Sequence, residues 1–163
     1  MIAQRILLIA IACAASIAWM QRPGDSTSAP RVIVGPTEQI EIAEASLAYH
    51  ARVDTGARTT SIHAESIRLV GDEVDFELAT NDGRRIPMRL PVAKIRNVRN
   101  AQGVEERIFV ELTLAHDGRA KPVLVNLRDR SHMTYPMLLG RNWLQDDYIV
   151  DVSLGDPTPP ASG

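Results

Sequence analysis

The sequence predicts an all-β domain. Three observations carry this: two stretches alternate apolar and polar residues on either side of a turn, no long segment repeats every 3.6 residues, and one alternating run ends abruptly in Asp54-Thr55-Gly56.

In the run that ends at Asp54, Leu47, Tyr49, Ala51 and Val53 are apolar and two apart, the period of a half-buried strand. Asp54 therefore stands where a strand breaks into a loop. Thr55 is short and hydroxylated, and Gly56 lacks a Cβ, so the backbone can turn sharply and approach a second chain or a substrate. A carboxylate delivered this way suits catalysis; the plain alternative is a turn that merely ends a strand.

Further on, Val74, Phe76 and Leu78 alternate with Asp75 and Glu77, Asn81-Asp82-Gly83 turns the chain, and Ile86, Met88 and Leu90 alternate with Arg85, Pro87 and Arg89. This is a hairpin, and Pro87, which has no N–H to donate, places its second strand near a sheet edge. Ile108, Val110, Leu112 and Leu114 form a second alternating set; Asp117-Gly118 turns, and Val123, Val125 and Leu127 return. A short helix is expected at about Asn142 to Gln145, and no internal repeat is visible.

The ends read differently. Met1 to Gln21 opens with Arg5 and continues as an apolar or small run from Ile6 to Met20, shorter than the roughly twenty residues of a comfortable membrane span. It reads as a signal peptide or membrane anchor over residues 1–21. Cleavage near Ser16-Ile17-Ala18 competes with lipidation at Cys13, the one cysteine of the chain. Residues 22–31 read as a flexible linker, 32–153 as the folded domain and 154–163 as a disordered tail. The expected location is exported, either periplasmic or tethered to the outer face of the inner membrane. With Cys13 set aside in the leader, the domain has no disulfide to form and must be stable by packing alone.

A net charge of -2 and 4% aromatic residues argue against a nucleic-acid surface. No Gly-rich phosphate loop followed by Lys-Ser or Lys-Thr is present, so nucleotide hydrolysis is not expected. His50, His63, His116 and His132 form no His-Glu-x-x-His pair, and no cysteine lies near them; His50 alternates with the apolar face of its strand, His116 sits in a turn, and His63 and His132 look isolated. No metal and no cofactor are assigned.

Val53-Asp54-Thr55-Gly56-Ala57-Arg58-Thr59-Thr60-Ser61-Ile62-His63-Ala64 is answered downstream by Leu127-Arg128-Asp129-Arg130-Ser131-His132-Met133-Thr134-Tyr135-Pro136-Met137-Leu138-Leu139-Gly140-Arg141. Together these segments resemble the retroviral-type aspartic peptidases, the retropepsins. They are closer still to a bacterial branch often labelled ATP-dependent zinc proteases, in some members associated with ATP-grasp peptide ligases. The resemblance spans about residues 32–152. It implies a closed, barrel-like single domain with one short C-terminal helix, Asp54 as the catalytic carboxylate, Thr55 and Gly56 completing its loop, and Gly140 beneath that loop. Counting back from Leu138-Leu139-Gly140 places the flap of such a fold in the polar, turn-bearing stretch 95–108, with Asn100, Ala101, Gln102 and Gly103 at its tip.

One position departs from the retroviral pattern: Arg58 stands where an Asp usually pairs with the later arginine, here Arg141. Asp129, Asp146 and Asp147 are candidate partners, the alternative being that Arg141 is simply solvated. Because the chain has one Asp-Thr-Gly and the chemistry needs two carboxylates, the resemblance implies a homodimer acting on a peptide or protein substrate. Val32-Ile33-Val34 and Ile149, Val150 and Val152 suit a dimer sheet of terminal strands. The expected function is an exported aspartic endopeptidase, and the alternative is a catalytically silent binding or assembly domain on the same fold.

Overall fold

The computed structural model of the chain describes residues 30–80, 83–100 and 103–155. The alternating run becomes β3 (Leu47–Val53), which pairs antiparallel with β2 (Thr37–Ile42) and parallel with β11 (Met137–Leu139). β11 in turn lies against β4 (Thr60–His63), and β4 runs parallel to β10 (Arg119–Arg128). The long strand β9 (Gly103–His116) pairs with both β10 and β2 and so closes the ring β10-β4-β11-β3-β2-β9 into a six-stranded barrel. This is the closed, all-β form expected.

The second predicted hairpin is β9–β10. Its two-residue turn has Asp117 at φ 47° and Gly118 at φ 71°, both left-handed, as a turn matching the natural twist of paired strands requires. Val110, Leu112 and Leu114 from β9 and Val123, Val125 and Leu127 from β10 point inward and are buried. The first predicted hairpin is β6 (Glu73–Ala79) with β7 (Arg85–Pro91); with β5 (Glu65–Val70) they form a separate three-stranded sheet. β7 is its edge strand, so Pro87 sits where the missing N–H costs no ladder bond. Val74, Phe76 and Leu78 turn inward and join the core, while Asp75 and Glu77 face outward.

The expected flap segment forms β8 (Lys94–Asn100), paired with the first half of β9 so that Asn100 opposes Gly103. Ala101 and Gln102, the expected tip, lie outside the described residues, as do Asn81 and Asp82 of the other predicted turn. The helix α1 (Arg141–Leu144) comes one residue earlier than expected, directly after Gly140. Its Trp143 is fully buried and stacks on Tyr148 with ring centroids 3.9 Å apart. Tyr148 opens β12 (Tyr148–Val150), which pairs parallel with β1 (Val32–Val34). The terminal strands thus pair with each other within one chain.

β4 was not legible as a strand, for a physical reason. All four of its residues, Thr60, Ser61, Ile62 and His63, are buried, so the segment shows no alternation, and three of them are polar. Their polar groups are satisfied by partners distant in sequence, and these bonds build the site.

Candidate active site

β3 delivers Asp54 to a loop at the mouth of the barrel. The Asp54 N–H donates to the Leu139 carbonyl at 2.9 Å, extending the β3–β11 pairing by one bond. Its Oδ1 accepts the N–H of Gly56 at 2.9 Å and of Ala57 at 3.1 Å. The carboxylate is held by its own loop, and Oδ2 has no hydrogen bond to the described residues.

The loop is pinned from the far end of the chain. The Arg141 N–H donates to the Ala57 carbonyl at 2.9 Å, and Arg141 Nη1 donates to the carbonyls of Thr55 at 3.0 Å and Gly56 at 2.9 Å. None of Asp129, Asp146 and Asp147 takes this guanidinium: its partners are carbonyl oxygens of the Asp54 loop. With Arg58 in place of an acid, the arginine orients the loop through the backbone, and it is not a merely solvated charge.

Gly140 lies against the backbone after that loop. A Cβ there would stand 2.5 Å from the Thr59 carbonyl carbon and 2.7 Å from its oxygen, a contact that no side-chain rotation could relieve. Since φ at Gly140 is -89°, close approach and not backbone conformation demands glycine. The same crossing is sealed by Thr60 and Asn142: the Thr60 N–H and hydroxyl donate to Asn142 Oδ1 at 2.8 and 3.0 Å, and the Gly140 N–H donates to Thr60 Oγ1 at 3.2 Å. Asn142 Nδ2 donates to the Leu124 carbonyl, and Asn126 Nδ2 to that of Thr60, each at 2.8 Å. These uncharged bonds tie β4, β10 and α1 together under Asp54.

Three residues at the site escaped sequence reasoning. Arg130 is half-buried: Nη1 donates to Ser61 Oγ at 3.0 Å and Nε to the Tyr135 carbonyl at 3.3 Å. Burial pulls its guanidinium below the usual arginine range, nearby Arg128 adds to that, and the charge of Asp54 acts against it, so Arg130 stands within electrostatic reach of Asp54. His63, which looks isolated in the sequence, is buried and fully engaged: Nδ1 accepts the Arg130 N–H at 2.9 Å and Nε2 faces Glu65 Oε1 at 3.2 Å. The signal that could have found Arg130 is its position in the Arg-Asp-Arg-Ser stretch after β10; nothing local marks Ser61 or His63.

Zinc does not fit this arrangement. Both ring nitrogens of His63 already have partners, and among the described residues no three His, Cys, Asp or Glu side chains cluster as metal ligands. Of the expected flap, Glu105 lies 3.3 Å from Arg107 and 3.6 Å from Arg128, linking the β8–β9 hairpin to the end of β10.

Beside the Asp54 loop, a cavity of about 480 Å³ is lined by Thr55 and Arg141 on one side and by Arg31, Tyr148 and Val150 of the terminal strands on the other. Ile33 and Ile149, register partners on the two-stranded sheet, are 59% and 50% exposed, and Val152 in the turn after β12 is 80% exposed.

A closed β-barrel that presents Asp-Thr-Gly on a loop, with a Gly-Arg-Asn turn packed beneath it, defines the retropepsin-like class of aspartic peptidase domains. The family described as "Retropepsin-like aspartic endopeptidase RimB" (RimB-like) matches residues 33–156, and the chain belongs to that family. Among curated proteins it is similar to a "Probable alpha-L-glutamate ligase" of Shewanella halifaxensis, 39% identical over 114 residues, covering 65% of this chain and 25% of the relative. Another protein of that name, from Desulfotalea psychrophila, is 36% identical over 131 residues, 75% of this chain and 28% of the relative. The chain thus spans about a quarter of the length of these relatives. Among solved structures, Lpg0085 of Legionella pneumophila, a protein of unknown function, superposes with a TM-score of 0.68 at 25% identity, covering 77% of this chain and 96% of that one.

Proposed function

We propose that this chain is an aspartic endopeptidase that works as a homodimer, with two Asp54 carboxylates meeting across a two-fold axis. The observation that carries the reading is the Asp54 loop itself: one carboxylate oxygen is held by the loop's N–H groups, and the loop carbonyls are held by Arg141. Such a carboxylate has its orientation set before substrate arrives. Two of them a few ångströms apart cannot both ionise and so share a proton; one then takes a proton from water while the other donates to the scissile carbonyl. The exposed side chains of Ile33, Ile149 and Val152 support a second copy as partner, because a two-stranded sheet is marginal alone and gains by adding strands. The cavity lined by Tyr148 and Val150 on one side and Thr55 on the other lies between that strand pair and the Asp54 loop, which supports the same reading.

For substrate, we infer acidic, glutamate-rich peptides. Arg52 and Arg58 stand exposed on either side of Asp54 in the chain, and the half-buried Arg130 is within electrostatic reach of it. The named ligase activity of the longer relatives would make glutamate-containing peptides, the kind of product a peptidase of this charge would remove. From the leader read in residues 1–21 we infer that the enzyme acts outside the cytoplasm, which a reporter fused after residue 31 would test by its compartment.

Peptide cleavage by the purified protein is the decisive experiment. Wild type should cleave glutamate-rich peptides faster than lysine-rich ones, and Asp54→Asn should abolish cleavage while leaving fold and dimer intact, because an amide can neither share the proton nor activate water. The rate should trace a bell with its optimum below neutrality, its limbs belonging to the carboxylate pair. Cleavage by Asp54→Asn at the wild-type rate would overturn the mechanism; no cleavage at any pH would leave a binding domain.

A further inference from the structure

The segment from Asp129 to Tyr135 carries Arg130, and both of its ends are fastened to His63, the last residue of β4, and Ala64, which follows it. The His63 N–H donates to the Pro136 carbonyl at 2.7 Å and the Ala64 N–H to the Arg128 carbonyl at 3.0 Å. Between these backbone ties the His63 ring supplies a third: Nδ1 accepts the Arg130 N–H at 2.9 Å. A nitrogen that accepts carries no proton, so the ring is the neutral tautomer protonated on Nε2, and that proton points at Glu65 Oε1. Glu65 is itself held by Arg85 Nε at 2.6 Å.

A second acceptor waits beside the first contact. Asp129 Oδ1 lies 3.6 Å from His63 Nδ1 and accepts the Ser131 N–H at 2.8 Å. That bond, with smaller contributions from His63 and His132, holds the Asp129 carboxyl below its ordinary range, so it is ionised wherever imidazoles titrate. The charged and titratable groups facing His63 are Glu65, with Arg85 behind it, Asp129, with His132 near it, the Arg130 turn, and Arg128, its register partner on β10.

We propose that His63 is a positioning residue of the candidate site: as a neutral ring it fixes the Arg130 turn, and hence the guanidinium on Ser61 Oγ, and as a cation it turns Nδ1–H to Asp129 and loosens that turn. An imidazolium has two donors and no acceptor, so the bond from the Arg130 N–H cannot survive the second proton. Once it is lost, the turn keeps its backbone ties at Arg128, Arg130 and Pro136, and the guanidinium its bonds to Ser61 and Tyr135, so the turn is loosened without being freed. The acid side of the rate profile then includes the imidazole as well as the carboxylate pair. This step rests on the endopeptidase reading, but the hydrogen-bond exchange itself does not.

Two isosteric variants separate the ring's roles. In His63→Asn the amide oxygen stands in for Nδ1 and cannot be protonated; in His63→Gln the amide group reaches toward Glu65 but leaves the Arg130 N–H without its acceptor. His63→Asn should keep kcat within about twofold of wild type near neutrality and lose less of it in acid, whereas His63→Gln should lose about three- to tenfold at every pH, the worth of one hydrogen bond. In the wild type, nuclear magnetic resonance should show the Arg130 amide signal moving with the His63 ring titration, and this movement should vanish in His63→Asn. An Arg130 amide that ignores the His63 titration would overturn the proposal, as would equal losses of activity and melting temperature in both variants. If the wild type cleaves no peptide, the endopeptidase reading fails, and the amide titration alone decides the exchange.

Discussion

The Asp54 loop and the three-stranded sheet β5-β6-β7 are held by opposite means. Under the loop, the ties are neutral and at least partly buried, Thr60, Asn126 and Asn142 among themselves and Gly140 against Thr59, while at the surface the Arg141 guanidinium adds charged donors to the loop carbonyls. On the outer face of the sheet, the ties are ion pairs in water: Asp75 takes Arg89 at 2.5 Å and Arg68 at 2.9 Å, and Glu65 takes Arg85 at 2.6 Å. Buried neutral bonds fix geometry because leaving one unmade is expensive, while exposed ion pairs contribute little and tolerate change. A carboxylate whose orientation is to be fixed needs the first kind of support; a sheet that covers a core needs only the second. Tyr49 joins the two regions, its hydroxyl on β3 donating to the Ala79 carbonyl at the end of β6 at 2.5 Å.

If that contrast is right, the most damaging small change lies under the loop. Gly140→Ala should cost about 3 kcal/mol or more, because the new methyl meets backbone that cannot rotate away. Activity should fall further than stability predicts, as Asp54 is displaced with the loop. Chemical denaturation beside a peptide-cleavage assay would check this, and a variant of wild-type stability would break the comparison at its strongest point.

Asn142→Ala comes next, at roughly 1–3 kcal/mol, since it strips partners from the Thr60 N–H and the Leu124 carbonyl. Its effect should persist in high salt, where an ionic tie would fade. Urea melts at two salt concentrations give the answer.

At the junction, Tyr49→Phe should cost about 1 kcal/mol by leaving the Ala79 carbonyl without its donor. Burial pushes the Tyr49 phenol up to about 12 from 10.0, so the folded state favours the neutral form. Its contribution is complete below the unfolded value near 10 and is lost as pH rises through about 12. Wild type should therefore lose stability over that window in part through this group, and the phenylalanine variant should lose less, since only Tyr148 remains as a raised phenol.

The smallest effect belongs to the sheet surface. Hydrogen bonds from Arg89 first and Arg68 second hold the Asp75 carboxyl at about 2, below its ordinary 3.8. A depressed carboxylate contributes above the unfolded value and loses that contribution as pH falls through the folded one, so the window runs from about 3.8 down to about 2. Asp75→Asn should leave the melting temperature nearly unchanged at neutrality and remove a share of the acid dependence in that window. A large loss at neutral pH would show that exposed pairs matter here more than the contrast allows.

Much of this organisation was legible because it is local. The runs at Leu47–Val53 and Glu73–Ala79 alternate because one face of each strand is buried, and Asp117-Gly118 announces its turn by residue type. Asp54 and Gly140 stood out because a strand-ending Asp-Thr-Gly and a glycine before a polar turn are marks written in neighbouring residues. Arg141 is legible as a cation needing a partner, and residue type points to an acid, while the fold offers carbonyls.

What the sequence determined by itself, then, is the strand content and the chemical identity of the carboxylate, since both follow from periodicity and residue type over a few positions. The tertiary structure alone decided the closure of the barrel through β9 and β10, the parallel pairing of β1 with β12, and the company kept by Ser61, His63 and Arg130. Thr60 and Asn142 bond across 82 residues of chain, and β4 is buried along its whole length, so no local pattern reports either fact. A buried polar residue shows its purpose only once the fold has brought its partner to it, because the cost of burying it is offset by a bond to a distant segment.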